Sequence, residues 1–274
     1  MMGEDISVFA AYALIGFLQS FDVLLLVFAR LLAFFMLVPV LAGVSVPVVA
    51  RLSLALSVGH MVFASELVGV VEVSQNLPSY IVLVIGEVMA GLIMGFMVYL
   101  AFAVIYFAGQ IIDYQIGFMM ASVFDPTTQI QVPVVGNLLF FALMALFVVS
   151  GGFASVVGAS VLSFQLAPVG QVFVVGNTQL LLYCLGMFGT YFSLGVRFAL
   201  PIAGALFIVS VMLGILVKAV PQMNVFVVGF PLQALLGVAA MWFITPAFAT
   251  YYYILYEYAA EMLMTVIGGL TVES

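Results

Sequence analysis

Charge is what this sequence has least of. Of its 274 residues 4 are Lys or Arg and 11 are Asp or Glu, so 5% are charged, against about 25% in a soluble domain. With 67% hydrophobic residues, the polar surface is too small to cover a water-soluble fold, and the class is an all-α polytopic membrane protein. Alternation of polar and apolar residues over ten-residue segments is also missing, which excludes a transmembrane barrel. The four basic residues are Arg30, Arg51, Arg197 and Lys218. Orientation in a membrane is set by Lys and Arg in cytoplasmic loops, so four of them carry almost no orientation signal, and partner subunits are expected to help fix the geometry. The net charge of −7 argues against nucleic acid or anionic head groups as the main partner.

Other absences narrow the chemistry. The single cysteine, Cys184, excludes an intramolecular disulfide and a cysteine metal cluster, and is read as a small buried hydrophobe. The single histidine, His60, has no second ligand for zinc and is read as a hydrogen-bonded structural residue. No Gly-x-Ser-x-Gly elbow surrounds Ser160, so serine hydrolysis is not expected. Asp113 and Asp125 lie twelve residues apart with Gly117 between them, which is no protease signature. No metal, no cofactor and no enzymatic activity are expected. The first apolar run is preceded by Glu4 and Asp5 rather than by a basic stretch, and reads as a retained helix rather than a cleaved signal.

Long hydrophobic runs fill the rest. A spanning helix needs about 20 residues, so the chain has room for six to eight hydrophobic helical segments in a single integral membrane domain, 1–274. The first run, from Ile6, holds Asp22 and Arg30 roughly on one face; mutual or interchain pairing is expected, because a membrane charge costs about 2.5–3.5 kcal/mol. Further runs follow from Val48, Tyr80, Val134, Leu180 and Leu232. Gly91 and Gly95 form a small-xxx-small face for close helix contact. Pro39, Pro201, Pro221, Pro231 and Pro246 are breakers, and Pro201 is expected to kink its run or split it into a hairpin. The tyrosines from Tyr251 to Tyr258 suit an interface level.

One stretch departs from this pattern. QIIDYQIGFMMASVFDPTTQIQ, from Gln110 to Gln131, carries two carboxylates, four glutamines, a Gly, a Pro and a Thr pair. Irregular backbone at membrane depth must be buried in protein or line an aqueous cavity. A plug-like loop over about 110–133 is therefore expected. Asp125-Pro126 also reads as a helix start, with Asp as cap and Pro in the first turn. Asp113 is expected to pair with a cation such as Arg197 or with a partner's group. Phe118, Met119, Met120 and Phe124 are its apolar members, able to pack or to close a passage by dewetting.

Two motifs in this sequence resemble one family. The first runs Gly109-Gln110-Ile111-Ile112-Asp113-Tyr114-Gln115-Ile116-Gly117-Phe118 and continues to Asp125-Pro126. The second is Pro221-Gln222-Met223-Asn224-Val225-Phe226-Val227-Val228-Gly229-Phe230-Pro231-Leu232. Together they resemble the FliR family of flagellar biosynthetic proteins, whose type III secretion relatives are called SctT. The resemblance implies a subunit of the type III protein export gate, with a fold like a FliP-like portion joined to a FliQ-like portion within a helical assembly. It implies FliP-like, FliQ-like and FlhB-like partners, unfolded flagellar or effector proteins as the exported substrates, and a place among the lipids of the bacterial inner membrane in the flagellar basal body. The family's plug maps onto Gly117 to Phe124. From the residues themselves, Asp113, Gln115, Asp125, Pro126 and Arg197 are expected to be buried polar or structural. One departure is visible: Gln233 stands where relatives commonly carry a basic residue. A secondary transporter with broken helices is the alternative reading.

Overall fold

The computed structural model describes residues 21–43, 46–65, 76–118, 133–172, 177–222 and 224–271. Among them there are eight helices. The described part of α1 covers 21–37; α2 is Pro39–Ala42, α3 Val48–Ala64, α4 Leu77–Ile116, α5 Val134–Val149, α6 Gly152–Leu166, α7 Thr178–Ala219 and α8 Val225–Gly269. The all-α membrane class is therefore what the sequence folds into. Three helices, α4, α7 and the bulk of α8, are long and apolar enough to cross a membrane, and α5 with α6 counts as one further span broken between them. At that break Gly151 takes φ +79, a conformation that only glycine adopts freely.

The chain forms two compact units whose boundaries fall within α4, α7 and α8 or beside the α5–α6 break. Unit 1 is Met1–Tyr99, Phe153–Leu185 and Ala260–Ser274; unit 2 is Leu100–Gly152 and Gly186–Ala259. In unit 1 the core is built on α1, which buries Leu26, Val27, Leu31, Phe34 and Phe35. Gly91 and Gly95 let α4 lie directly on it. A Cβ at Gly91 would fall 2.2 Å from the Arg30 carbonyl oxygen, and one at Gly95 2.8 Å from that of Phe34. The close-contact face expected of these two glycines is thus realised, with α1 as its partner.

That contact delivers Arg30 into the interior of unit 1, where it is fully buried. Its Nε donates to Oε2 of Glu87 at 2.5 Å, and its Nη1 donates to the carbonyls of Ala167 at 2.8 Å and Ser163 at 3.2 Å. The guanidinium lies 4.5 Å from the centre of the Phe164 ring. The other Glu87 oxygen accepts the N–H of Gly170 at 2.9 Å. Arg30 therefore pairs with Glu87 and not with Asp22, which correspondence along one helix had favoured. Asp22 is half-buried, and its backbone carbonyl accepts the Tyr80 hydroxyl at 3.2 Å. The physical reason is depth: an Arg pressed against Gly91 meets the facing helix before it can reach along its own.

Unit 2 packs aromatic rings between α4 and α5. Phe102 stands edge-on to Phe147 at 5.3 Å and to Phe140 at 6.0 Å, the arrangement that aromatic quadrupoles favour. Neither α7 nor α8 splits at its prolines: Pro201 lies inside α7, and Pro231 and Pro246 lie inside α8. The hairpin alternative for Pro201 is not what forms.

Removing one partner of a buried pair strands the other charge, at about 3–5 kcal/mol, whereas replacing both by apolar residues is often tolerated. Arg30→Met should accordingly lower the thermal unfolding midpoint in mild detergent sharply, and Arg30→Met with Glu87→Met should recover most of the loss. A double variant no more stable than the single one would show that the pair is not the source of the loss.

Candidate functional site

Unit 2 brings members of both motifs together at the C-terminal end of α4. The helix stops at Ile116 because Gly117 takes φ +88. The Gly117 N–H closes the last turn on the carbonyls of Asp113 at 3.1 Å and Tyr114 at 3.2 Å. The first seven residues of the expected plug-like loop are therefore helical.

Asp113 is wholly buried, and its role follows from a deficiency in α5. The residue preceding that helix is Pro133, which supplies no side-chain cap, so the first N–H groups of α5 lack partners of their own. Asp113 supplies them from α4: Oδ1 accepts the N–H of Val135 at 2.9 Å and Oδ2 that of Gly136 at 3.0 Å. A carboxylate at a helix N-terminus is also favoured by the helix dipole. The reach depends on Gly109, one turn earlier on the same face, where a Cβ would lie 2.4 Å from the Gly136 Cα. Two glycines in contact set the distance that the carboxylate then closes. Arg197 is not the partner. It is exposed on α7 and meets no carboxylate among the described residues, while both Asp113 oxygens are already taken by backbone donors.

The next polar residue on α4 makes a second link. Gln115 Nε2 donates to Ser210 Oγ on α7 at 3.1 Å, and Gln233 Nε2 on α8 donates to the same oxygen at 2.8 Å. Ser210 Oγ donates in turn to the Leu206 carbonyl at 3.0 Å. One hydroxyl thus accepts twice and donates once, filling its hydrogen-bonding capacity and tying three helices without a charge. Gln233, the departure from the family pattern, has here a neutral partner. Around this node a Cβ on Gly117 would lie 3.5 Å from the Phe230 ring, and Gly237 admits Ile116, whose Cδ1 would be 2.5 Å from a Cβ there. The first motif's glycine and the second motif's phenylalanine therefore face each other, with Phe118 half-buried beside them. Ser210 was not singled out from the sequence; its signal is one of two serines in an apolar helix.

The remaining motif residues are placed elsewhere. Pro221, Gln222 and Asn224 lie exposed at the turn between α7 and α8, where the Asn224 carbonyl accepts the N–H groups of Val227 and Val228. Gly229 is buried and Pro231 exposed within α8. Met119, Met120, Phe124, Asp125, Pro126, Met223 and the side chain of Phe226 lie outside the described residues. His60 is exposed on α3 and Cys184 half-buried on α7.

The pattern of the family "Bacterial export proteins, family 1" matches residues 21–258, which includes both motifs. The chain belongs to this FliR/SctT family. It is 31% identical to the flagellar biosynthetic protein FliR of Bacillus subtilis over 79% of its own length and 83% of that protein's. It is 28% identical to FliR of Escherichia coli over 88% and 91%, and 29% identical to the secretion system apparatus protein SsaT of Salmonella typhimurium over 58% and 61%. As a FliR-family protein it is an export-gate subunit of the bacterial type III export apparatus.

The Asp113 cap makes a graded prediction. Asp113→Leu leaves two buried N–H groups without acceptors, each costing about 1–3 kcal/mol; Asp113→Asn keeps one acceptor and should fall between Leu and the parent. Thermal unfolding of the purified chain or complex in mild detergent reads the order. Equal midpoints for all three would mean that the α5 N-terminus is satisfied by other means.

Proposed function

We propose that this chain lines and seals the passage of the type III (flagellar) protein export gate, through which unfolded flagellar or effector proteins leave the cytoplasm. In this reading it assembles with FliP-like and FliQ-like subunits, is docked by an FlhB-like subunit, and lies in the bacterial inner membrane at the flagellar basal body. One observation carries the assembly. At about 1.5 Å per residue, the 42 residues of α7 extend about 63 Å, roughly twice the hydrocarbon thickness of a bilayer. Its most apolar window has 17% of its residues buried within the chain, and that of α8 11%. On α8, Trp242 and Phe243 are 80% and 83% exposed. A bilayer can cover only about half of such a helix, so other protein surfaces must cover the rest.

The seal is placed where α4 ends. Gly117 and Phe118 leave the helix beside Phe230, on a foot held by Asp113 and by the Gln115–Ser210–Gln233 node. In this reading the Phe/Met tract of the sequence closes the passage by dewetting at an apolar constriction. Asp113, Gln115 and Gly117 are then positioning residues for Phe118, Met119, Met120 and Phe124. A secondary transporter is expected to carry interrupted helices in corresponding positions of two halves; among the described residues α7 and α8 run through Pro201, Pro231 and Pro246 as single helices, and α5 with α6 is the one candidate span that is broken.

Replacing Phe118, Met119, Met120 and Phe124 together by Ala, or deleting Gly117 to Phe124, should leave the assembled gate open to ions and small solutes while protein export continues. Membrane conductance and small-solute uptake in cells carrying the assembled variant are the measurements. Wild-type conductance at normal assembly would move the seal elsewhere.

A further inference from the structure

Unit 1 gathers its buried polarity at one place. Among the described residues five polar or charged side chains are buried, and four of them, Arg30, Glu87, Ser160 and Ser163, belong to unit 1. Their hydrogen bonds are nearly all accounted for. The Ser160 and Ser163 hydroxyls donate to the carbonyls of Val157 and Ser160, both at 2.7 Å. Arg30 Nη1 serves the carbonyls of Ser163 and Ala167. Glu87 divides its oxygens: Oε2 accepts Arg30 Nε and Oε1 accepts the Gly170 N–H. Arg30 Nη2 is the exception. It is buried, and it donates to no acceptor among the described residues. A carboxylate on the edge of a guanidinium commonly takes two parallel N–H···O bonds, as one fork on another. Here the second oxygen is spent on Gly170, so the fork is one prong short.

We propose that a water molecule is bound at Arg30 Nη2 and completes the fork on the Glu87 side. An unmet donor on a buried charged group costs more than a lost neutral hydrogen bond. Buried waters stand where polar groups would otherwise go unsatisfied, making about three hydrogen bonds each. Nη2 supplies donors, and Glu87 Oε2, which accepts one bond from Nε, keeps a lone pair for a proton of the water. An anion is the weaker ligand. Glu87 already neutralises Arg30, and an added negative charge would be buried without a partner. With water in the second prong, Glu87 can hold the guanidinium and still keep Gly170, and with it the turn that follows α6. The inference concerns the core of unit 1 and stands apart from the gate reading.

X-ray hydroxyl-radical footprinting of the full chain in mild detergent, alone or in its complex, tests the proposal, because radiolysis of a bound water oxidises the side chains beside it. Phe164 and Phe34 make a matched pair. Both are wholly buried in unit 1, but Phe164 is the one whose ring centre lies 4.5 Å from the guanidinium. Phe164 should be oxidised several-fold faster than Phe34 in the parent. Arg30→Met with Glu87→Met should bring it down to the rate of Phe34. A second measurement is a density map of the parent protein, which should place a water within about 3.2 Å of Nη2. Equal rates for the two rings in the parent overturn the proposal. So does a map in which an oxygen of the chain meets Nη2, whether Glu87 Oε1 swung off Gly170 or another residue's. Density at Nη2 with Phe164 unlabelled marks a bound anion and overturns it as well.

Discussion

The hydrogen bonds between Asp113 and the N-terminus of α5 are the constraint on which unit 2 is arranged. In an apolar interior every backbone N–H must find an acceptor, and a helix that starts after Pro133 has none of its own to offer. The acceptor comes from α4, which requires the two helices to touch, which in turn requires glycine at 109 and 136. Once that contact is made, Gln115 and Gly117 occupy fixed positions two and four residues beyond Asp113. The end of α4 is therefore located by a capping interaction made one turn earlier. Unit 1 obeys the same rule with a different solution, since Arg30 and Glu87 satisfy the loop carbonyls and N–H of residues 163–170 while neutralising each other.

Much of this was legible in the sequence, and the limits have physical causes. The helical class follows from continuous apolar runs, and the packing face of Gly91 and Gly95 follows from their spacing, because a small-xxx-small pair has meaning on one helix alone. The two motifs identified the family. The partners of buried polar residues were not legible. Arg30 has Asp22 two turns away in sequence and Glu87 across a helix contact, and only the second is at the depth of the guanidinium. Asp113 was given a cation as partner because a buried carboxylate invites one; backbone donors leave no mark in a sequence beyond the proline that creates the need for them. Proline had the opposite effect at 201, 231 and 246, where long helices accommodate what local rules count as breaks.

Helix length separates this chain from an ordinary membrane protein. Segments of about 20 residues suffice to cross a bilayer, yet α4, α7 and α8 have 40, 42 and 45. Such helices gain nothing from lipid over half their length. In the reading proposed above, that apolar surface is interface for other subunits, in keeping with the four basic residues of the chain.

The uncharged character of the Gln115–Ser210–Gln233 node has one more consequence. A pair of opposite charges at that place would be weakened by salt and lost at extremes of pH, as ion pairs are. A hydroxyl shared between two amides has no counter-ion to lose and no proton to gain across the range in which cells live. The grip of α4, α7 and α8 on one another is thereby made indifferent to the ionic composition of the surrounding water.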